Sequence, residues 1–216
     1  MKKDLEQQFD KRVDQLKTHI LPSDKIYPVV DLTCLDTCAE LERIEHLNHQ
    51  AALLQVAAVC VYPKHLTWLP PLDNIYRATV VNFPEGQQNL DQVLSDMDKA
   101  FQQQADEIDY VFPYAQYLSG KKTQALTHYR EAYEFCQSQG RLFKVILETG
   151  AWPNLEDIYY ISRTLIDLGC PMLKTSTGKI EIGATLPAAY AVLIAIQDSR
   201  LQCGIKISGG IKTFQQ

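Results

Sequence analysis

Two short stretches carry the groups in this chain best suited to covalent chemistry: MLKTSTGK at 172–179 and GIKISGGIK at 204–212. Each sets a lysine inside an apolar run that reads as a buried strand, then follows it with hydroxyls, glycine and a second lysine. Alternate side chains of a strand share a face, so Lys174 points with Ser176 and Lys206 with Ser208. If the two runs are consecutive parallel strands, roughly 5 Å apart, both ammonium groups face one cavity. Two like charges at that range, partly desolvated, lower the pKa of at least one of them. A neutral lysine amine near pH 7 is the species that forms an imine with a carbonyl. A lone lysine at such a place is ordinarily a solvated strand end or a phosphate contact; a pair with carboxylates converging on it points further.

The carboxylates sit in comparable places. Asp109, in EIDYVFPY, reads either as a structural partner for Lys174 or Lys206 or as a proton-transfer group, and these roles overlap. Asp31 with Thr33, Lys144 and Glu148 also lie in or near strand runs, where a buried ion pair between strands explains the charged ones equally well. Cys60 falls late in the second strand run, where a small apolar packing role is the default and a place on the cavity wall the alternative. Two glycine-bearing loops follow the lysine strands. Thr177, Gly178 and Lys179 in one, and Gly209, Gly210 and Lys212 in the other, offer backbone N–H groups and cations suited to a phosphate monoester. His46 and His49, three apart on a polar helix, have no evident third ligand, so a solvated face is expected there and no metal site.

These groups need a scaffold. Seven β-branched and aromatic runs recur at 27–33, 56–62, 76–83, 107–113, 142–148, 172–176 and 203–209. Helical periodicity fills most of the intervals, as in 89–105 and in 154–169, the latter opening on an asparagine cap and closing on a glycine. Apolar strands separated by helices indicate a parallel sheet covered on its faces. Polar groups near the C-terminal ends of many strands favour a (β/α)8 barrel, an α/β TIM-barrel fold, over a doubly wound sheet with one switch point. The chain reads as one barrel domain, 1–216, with an N-terminal helix at about 1–20. An eighth strand and its helix are not found before Gln216, so the barrel is expected to stop after strand seven and to expose edges prone to self-association.

Composition narrows the partners. A net charge of −5 argues against a broad nucleic-acid or anionic-membrane surface and leaves a small-molecule partner. The six cysteines are scattered without a CxxC pair, as in a reducing cytoplasm, and neither an export signal nor a membrane span is read.

The runs DLTCLD, VAAVCVYP, TVVNFPEG, EIDYVFPY, FKVILETG, LKTSTGK and GIKISGGIKT, in that order along nearly the whole chain, resemble deoxyribose-phosphate aldolase, a class I aldolase of (β/α)8 fold. The resemblance implies that Lys174 forms a Schiff base, that Lys206 perturbs it, and that Asp109 takes part in proton transfer. It further implies reversible cleavage of 2-deoxy-D-ribose 5-phosphate to acetaldehyde and D-glyceraldehyde 3-phosphate in deoxyribonucleoside catabolism, with the lysine imine in place of any cofactor or metal. Two other readings stay open: an incomplete barrel with a binding or regulatory role, and a Schiff-base aldolase for another sugar phosphate.

Overall fold

The computed structural model describes residues 4–16, 22–211 and 213; Lys212, expected in the second phosphate loop, lies outside them. The described residues form seven parallel strands in the spatial order β1 to β7: Asp31–Cys34, Ala58–Val61, Tyr76–Val81, Glu107–Val111, Leu142–Ile146, Met172–Lys174 and Gly204–Lys206. Helices alternate with them. α1 is Leu5–Leu16, α2 Ser23–Ile26, α3 Leu41–Leu54, α4 Leu90–Gln102, α5 Tyr114–Leu118, α6 Lys122–Ser138, α7 Leu155–Asp167 and α8 Leu186–Ser199. This is the TIM-barrel progression carried through its seventh strand. The sheet curls far enough that Lys206 of β7 forms an ion pair of 2.7 Å with Asp31 of β1.

Two elements differ from the sequence reading for definable reasons. The first run begins its strand only at Asp31, because Tyr27–Val29 closes a 3-10 turn around Pro28, which has no N–H for a ladder and a fixed φ. β6 stops at Lys174, where hydroxyls take over the pairing to the β7 side. The Ser208 N–H donates to Thr175 Oγ1 at 2.9 Å, the Thr175 hydroxyl donates to Ser208 O at 3.0 Å, and the Ser208 hydroxyl donates to Ser176 O at 2.6 Å.

The helices start where short polar side chains cap them. Asn89, Asn154 and Thr185 each accept an N–H from the first turn of α4, α7 and α8 respectively, satisfying a donor that helix geometry orphans. Among the described residues, no helix is long and apolar enough to cross a membrane.

The strands divide the interior into two unlike regions. Between the sheet and the helices lies the main apolar core, with Ile108, Tyr110, Phe143, Val145 and Leu173 facing it from β4, β5 and β6. α1 joins this layer by burying Leu5 completely and by setting Phe9 edge-on against Tyr190 of α8, ring centroids 5.7 Å apart. Inside the curl, by contrast, β2 and β3 present small apolar residues, Ala58 and Cys60 beside Ala78 and Val80. Small side chains on two strands leave room for long charged ones on the others, and those strands carry the lysines and carboxylates.

Candidate active site

Period-two alternation places Glu107 and Asp109 of β4 on the inner face together, opposite Lys144 of β5, Lys174 of β6, Lys206 of β7 and Asp31 of β1. Asp109 is the direct cross-strand partner of Lys144, and Lys174 of Lys206. Three lysines and three carboxylates therefore meet in one cluster. Asp109 is wholly buried, and Lys174, Lys144 and Glu107 nearly so.

The pairing within the cluster is specific. Lys174 Nζ donates to Asp109 Oδ2 in close contact. Lys144 Nζ contacts Glu107 Oε1, lies 3.0 Å from Asp31 Oδ2 and 3.5 Å from Asp109 Oδ1. Lys206 Nζ reaches across the seam to Asp31 Oδ1 at 2.7 Å and to the carbonyl of Val29 at 2.9 Å. The Cys60 thiol lies 3.9 Å from Asp109 Oδ2, so this cysteine does line the same space.

Electrostatics follow from these contacts. Burial favours the neutral form of Lys174, but the Asp109 carboxylate outweighs it and holds the ammonium above its ordinary pKa. Burial pushes Asp109 up, yet Lys174 and Lys144 together bring it below the usual carboxylate range. Lys144 behaves as Lys174 does: desolvation lowers it and its three carboxylate neighbours raise it further. Glu107 is the exception, because burial and the neighbouring Asp109 and Asp31 charges outweigh Lys144 and push it up to about 7.

The contacts of the two lysines differ. Lys174 and Lys206 are side by side in register, but Lys206 turns its Nζ to Asp31 and Val29, while Lys174 is paired with Asp109. The reason is that Asp109 contacts Lys174 directly, whereas the positive charge of Lys206 is already neutralised across the seam.

The remaining expected residues fall into two groups. Thr33 is exposed at the mouth and donates its hydroxyl to the carbonyl of Asp31, 3.1 Å away, outside the charge cluster. Gly178 and Gly209 bring the two glycine loops together. Both have positive φ, +73° and +94°, and a Cβ on Gly178 would lie 3.4 Å from Gly209 Cα. In Gly209 a side chain would press to 3.0 Å from Ser176 Cβ, so close approach and backbone conformation both require glycine there. Gly210, also at positive φ, is exposed beside it.

Thr177 and Lys179 serve neighbours within the protein. The Thr177 N–H and hydroxyl both donate to Glu148, which is completely buried and raised by that burial. Lys179 Nζ donates to the carbonyl of Leu35 at 2.6 Å and lies over the Tyr62 ring, tying the β6 loop to the loop after β1. His46 and His49 stand on α3, and among the described residues no three His, Cys, Asp or Glu side chains are disposed to hold a metal ion.

Glu107 is the residue that sequence reasoning passed over. Its signal was present: in EID it stands two before Asp109, and two residues apart on a strand share a face.

What this arrangement can do is move a proton over a short distance between buried groups. Lys174 and Asp109 are a buried amine and carboxylate in contact, at the C-terminal end of a barrel strand where such folds place their chemistry.

The chain resembles known proteins in sequence and in fold. A family model described as DeoC/LacD family aldolase matches residues 13–216. Among solved structures, the chain is similar to a Coccidioides immitis protein described provisionally as a deoxyribose-phosphate aldolase. The two are 24% identical with a TM-score of 0.82, over 95% of this chain and 86% of the other. It is also similar to an aldolase designated QR15, 25% identical with a TM-score of 0.79, over 86% of this chain and 82% of that one. A deoxyribose phosphate aldolase from Aeropyrum pernix, described as having a unique tetrameric structure, is 22% identical with a TM-score of 0.79 over 97% of this chain and 84% of its own.

Proposed function

The chain belongs to the DeoC/LacD aldolase family, and from that premise we propose that it is a Schiff-base aldolase that reversibly cleaves 2-deoxy-D-ribose 5-phosphate to acetaldehyde and D-glyceraldehyde 3-phosphate. The observation that carries this reading is the buried contact between Lys174 and Asp109. An ammonium cannot attack a carbonyl, so the first step is proton transfer from Lys174 to Asp109, which also removes two buried charges at once. The neutral amine adds to the C1 aldehyde. Loss of water then gives a protonated imine, and that imine is the electron sink for the rest of the reaction.

The C2–C3 bond breaks as the C3 hydroxyl gives up its proton, glyceraldehyde 3-phosphate departs, and the enamine remains on Lys174. Protonation of its terminal carbon and attack by water release acetaldehyde and restore the amine. Asp109, within contact of the nitrogen, is placed to hold the travelling proton in these steps. Lys144 keeps Asp109 ionised between turnovers, and Lys206 reaches Lys174 only indirectly, through the charges of Asp31 and Lys144. The paired glycine loops after β6 and β7 open beside this centre. Their backbone N–H groups suit the 5-phosphate, with Gly178, Gly209 and Gly210 leaving space for close approach. The imine performs the activation that a metal ion would otherwise supply, so the mechanism calls for no cofactor.

Borohydride reduction in the presence of acetaldehyde tests the proposal. An ethylated lysine mapped to residue 174, absent in Lys174→Ala, supports it. A folded, unmodified protein after reduction rules out imine chemistry. Trapping of a ketone donor in preference to acetaldehyde rules out this substrate while keeping the Schiff base.

A further inference from the structure

The loop that joins β3 to α4, residues 82–89, stands beside the charge cluster and is fastened from the helix side of the sheet. Phe83 packs against the small inner-face residues Ala58, Cys60, Ala78 and Val80, and its ring meets Tyr62 edge-on with centroids 5.7 Å apart. Val80 is the in-register neighbour of Asp109, and the Cys60 thiol lies 3.9 Å from the Asp109 carboxylate. This apolar wall therefore borders the Lys174–Asp109 pair. The loop turns at Asn82, which is buried at φ +56°, a conformation that asparagine adopts more readily than most residues. Asn82 Nδ2 donates to the carbonyl of Val111 at 2.8 Å, and its Oδ1 accepts the Gln88 N–H at 2.8 Å.

His128 of α6 completes the fastening. Its Nε2 lies 3.1 Å from the carbonyl oxygen of Gln88, and its Nδ1 lies 2.7 Å from the hydroxyl of Tyr110, a wholly buried side chain of β4. A carbonyl can only accept, so Nε2 carries the hydrogen and Nδ1 is the acceptor for the Tyr110 hydroxyl. Only the neutral ring satisfies both contacts together. In the imidazolium Nδ1 also carries a hydrogen, and the Tyr110 hydroxyl loses its acceptor. Burial holds His128 below the ordinary histidine value of 6.5, which keeps the ring neutral near pH 7. The charges around it are few. Glu131 on the same helix favours the cation, Asp96 of α4 accepts from the Gln88 side chain at 3.3 Å, and Lys121 lines the cavity of about 720 Å³ that opens on His128. Through that cavity solvent protons reach the ring.

We propose that His128, oriented by Tyr110, is a positioning residue for the active site: it latches the loop after β3 and so holds Phe83 in the wall beside Lys174. The latch is closed with the neutral ring and opens when the ring gains a proton. Its effect on turnover rests on the aldolase reading above, whereas the fastening of the loop does not. The wall packs on the carbon chain of a substrate seated over Lys174, and the loop does not touch the proton path between Lys174 and Asp109. Opening the latch therefore weakens substrate binding and spares the chemical step.

Amide exchange of the 82–89 peptide tests the latch without any substrate, because the Gly86 and Gln88 N–H groups both donate to Asn82. Corrected for intrinsic rates, exchange there should rise on the order of tenfold in His128→Ala, with peptides from α7 at the parent rate. His128→Gln keeps an N–H for the Gln88 carbonyl and has no proton to gain, so it should restore protection. In the parent, protection should fall as pH drops from about 7.5 to about 5, and in His128→Gln it should stay flat. In the cleavage of 2-deoxyribose 5-phosphate, His128→Ala should raise KM about tenfold with kcat within about twofold, and His128→Gln should bring KM back. Loop exchange unchanged in His128→Ala, or a pH response shared by His128→Gln, overturns the latch. Faster loop exchange with KM at the parent value overturns the positioning role. A parent that forms no imine with acetaldehyde sinks the aldolase reading instead, and exchange in the parent across pH still decides the latch.

Discussion

At the scale of single residues, the cluster is a set of charges whose removal has unequal consequences. Asp109→Asn keeps the shape of the side chain but cannot accept the Lys174 proton. Steady-state assay with 2-deoxyribose 5-phosphate should show kcat reduced about 10²-fold or more with KM changed much less, the signature of a lost proton-transfer group. Lys144 is chiefly a neutralising charge for Asp31, Glu107 and Asp109. Lys144→Met strands buried carboxylates and should cost about 3–5 kcal/mol in denaturant unfolding. Glu107 gives a pH prediction. Its folded pKa, about 7, lies above the ordinary 4.5, so across that window the folded chain keeps a proton that the unfolded chain has released. Its stabilising contribution is fully present below the unfolded value and is lost as pH rises through the folded one. His65 and His128, lowered by burial, titrate with the opposite sign nearby, so the readout is the difference between Glu107→Gln and the parent. Relative to the parent, the variant should gain about 1 kcal/mol per pH unit between those limits in urea unfolding. A flat difference would remove Glu107 as the titrating group.

At the scale of elements, the helix starts are the most separable contributions. Asn154 accepts the Asp157 N–H at 2.8 Å at the start of α7, which buries Ile158, Ile161, Leu165 and Ile166 beneath it. Asn154→Ala should lower stability by about 1 kcal/mol, read as a shift in thermal midpoint, with the chemistry at Lys174 untouched. The same helix shows why so much of the fold could be read from sequence. Its cap, its apolar stripe and the glycine beyond its end all agree with one another, and each of the seven strand runs likewise found its strand. What escaped the reading was local and depended on side chains bonding to backbone. Pro28 delayed β1, and the hydroxyls of Thr175, Ser176 and Ser208 replaced the ladder after β6. The site was readable to the same depth. Alternation brought Lys174, Asp109, Asp31 and Lys144 to one face, but no pattern of spacing tells which carboxylate each lysine will choose. Lys206 was expected to act on Lys174 and instead bridges to Asp31, because the curl of the sheet brings β1 within its reach. That curvature is a property of all seven strands together, beyond what any one run contains.

At the scale of the whole molecule, among the described residues β7 and β1 are joined across the seam by side chains and not by a backbone ladder. Lys206 spans it to Asp31 and to the Val29 carbonyl, and Lys179 ties the loops above it through Leu35. Lys206 makes two hydrogen bonds across the seam, whereas a strand would satisfy a row of N–H and C=O groups on both edges. Apolar side chains stand exposed next to both strands, Val29 before β1 at 64% and Ile207 after β7 at 42%. Strand edges that have no ladder partner among the described residues, flanked by exposed apolar residues, favour pairing with another chain, and two copies can satisfy both edges by a symmetric contact. The 216-residue chain should therefore self-associate, with a weight-average mass in sedimentation equilibrium that rises with concentration. Exposing the seam further should strengthen this. Asp31→Asn removes the anchor for Lys206 and should shift association to lower concentration by about tenfold, the effect of weakening one ion pair by about 1.4 kcal/mol. High salt should shift the parent in the same direction, since it screens the partly exposed Lys206–Asp31 pair more than the buried ones. A monodisperse monomer for both parent and variant across the accessible concentration range would mean that the side-chain bridges alone are enough to protect the edges.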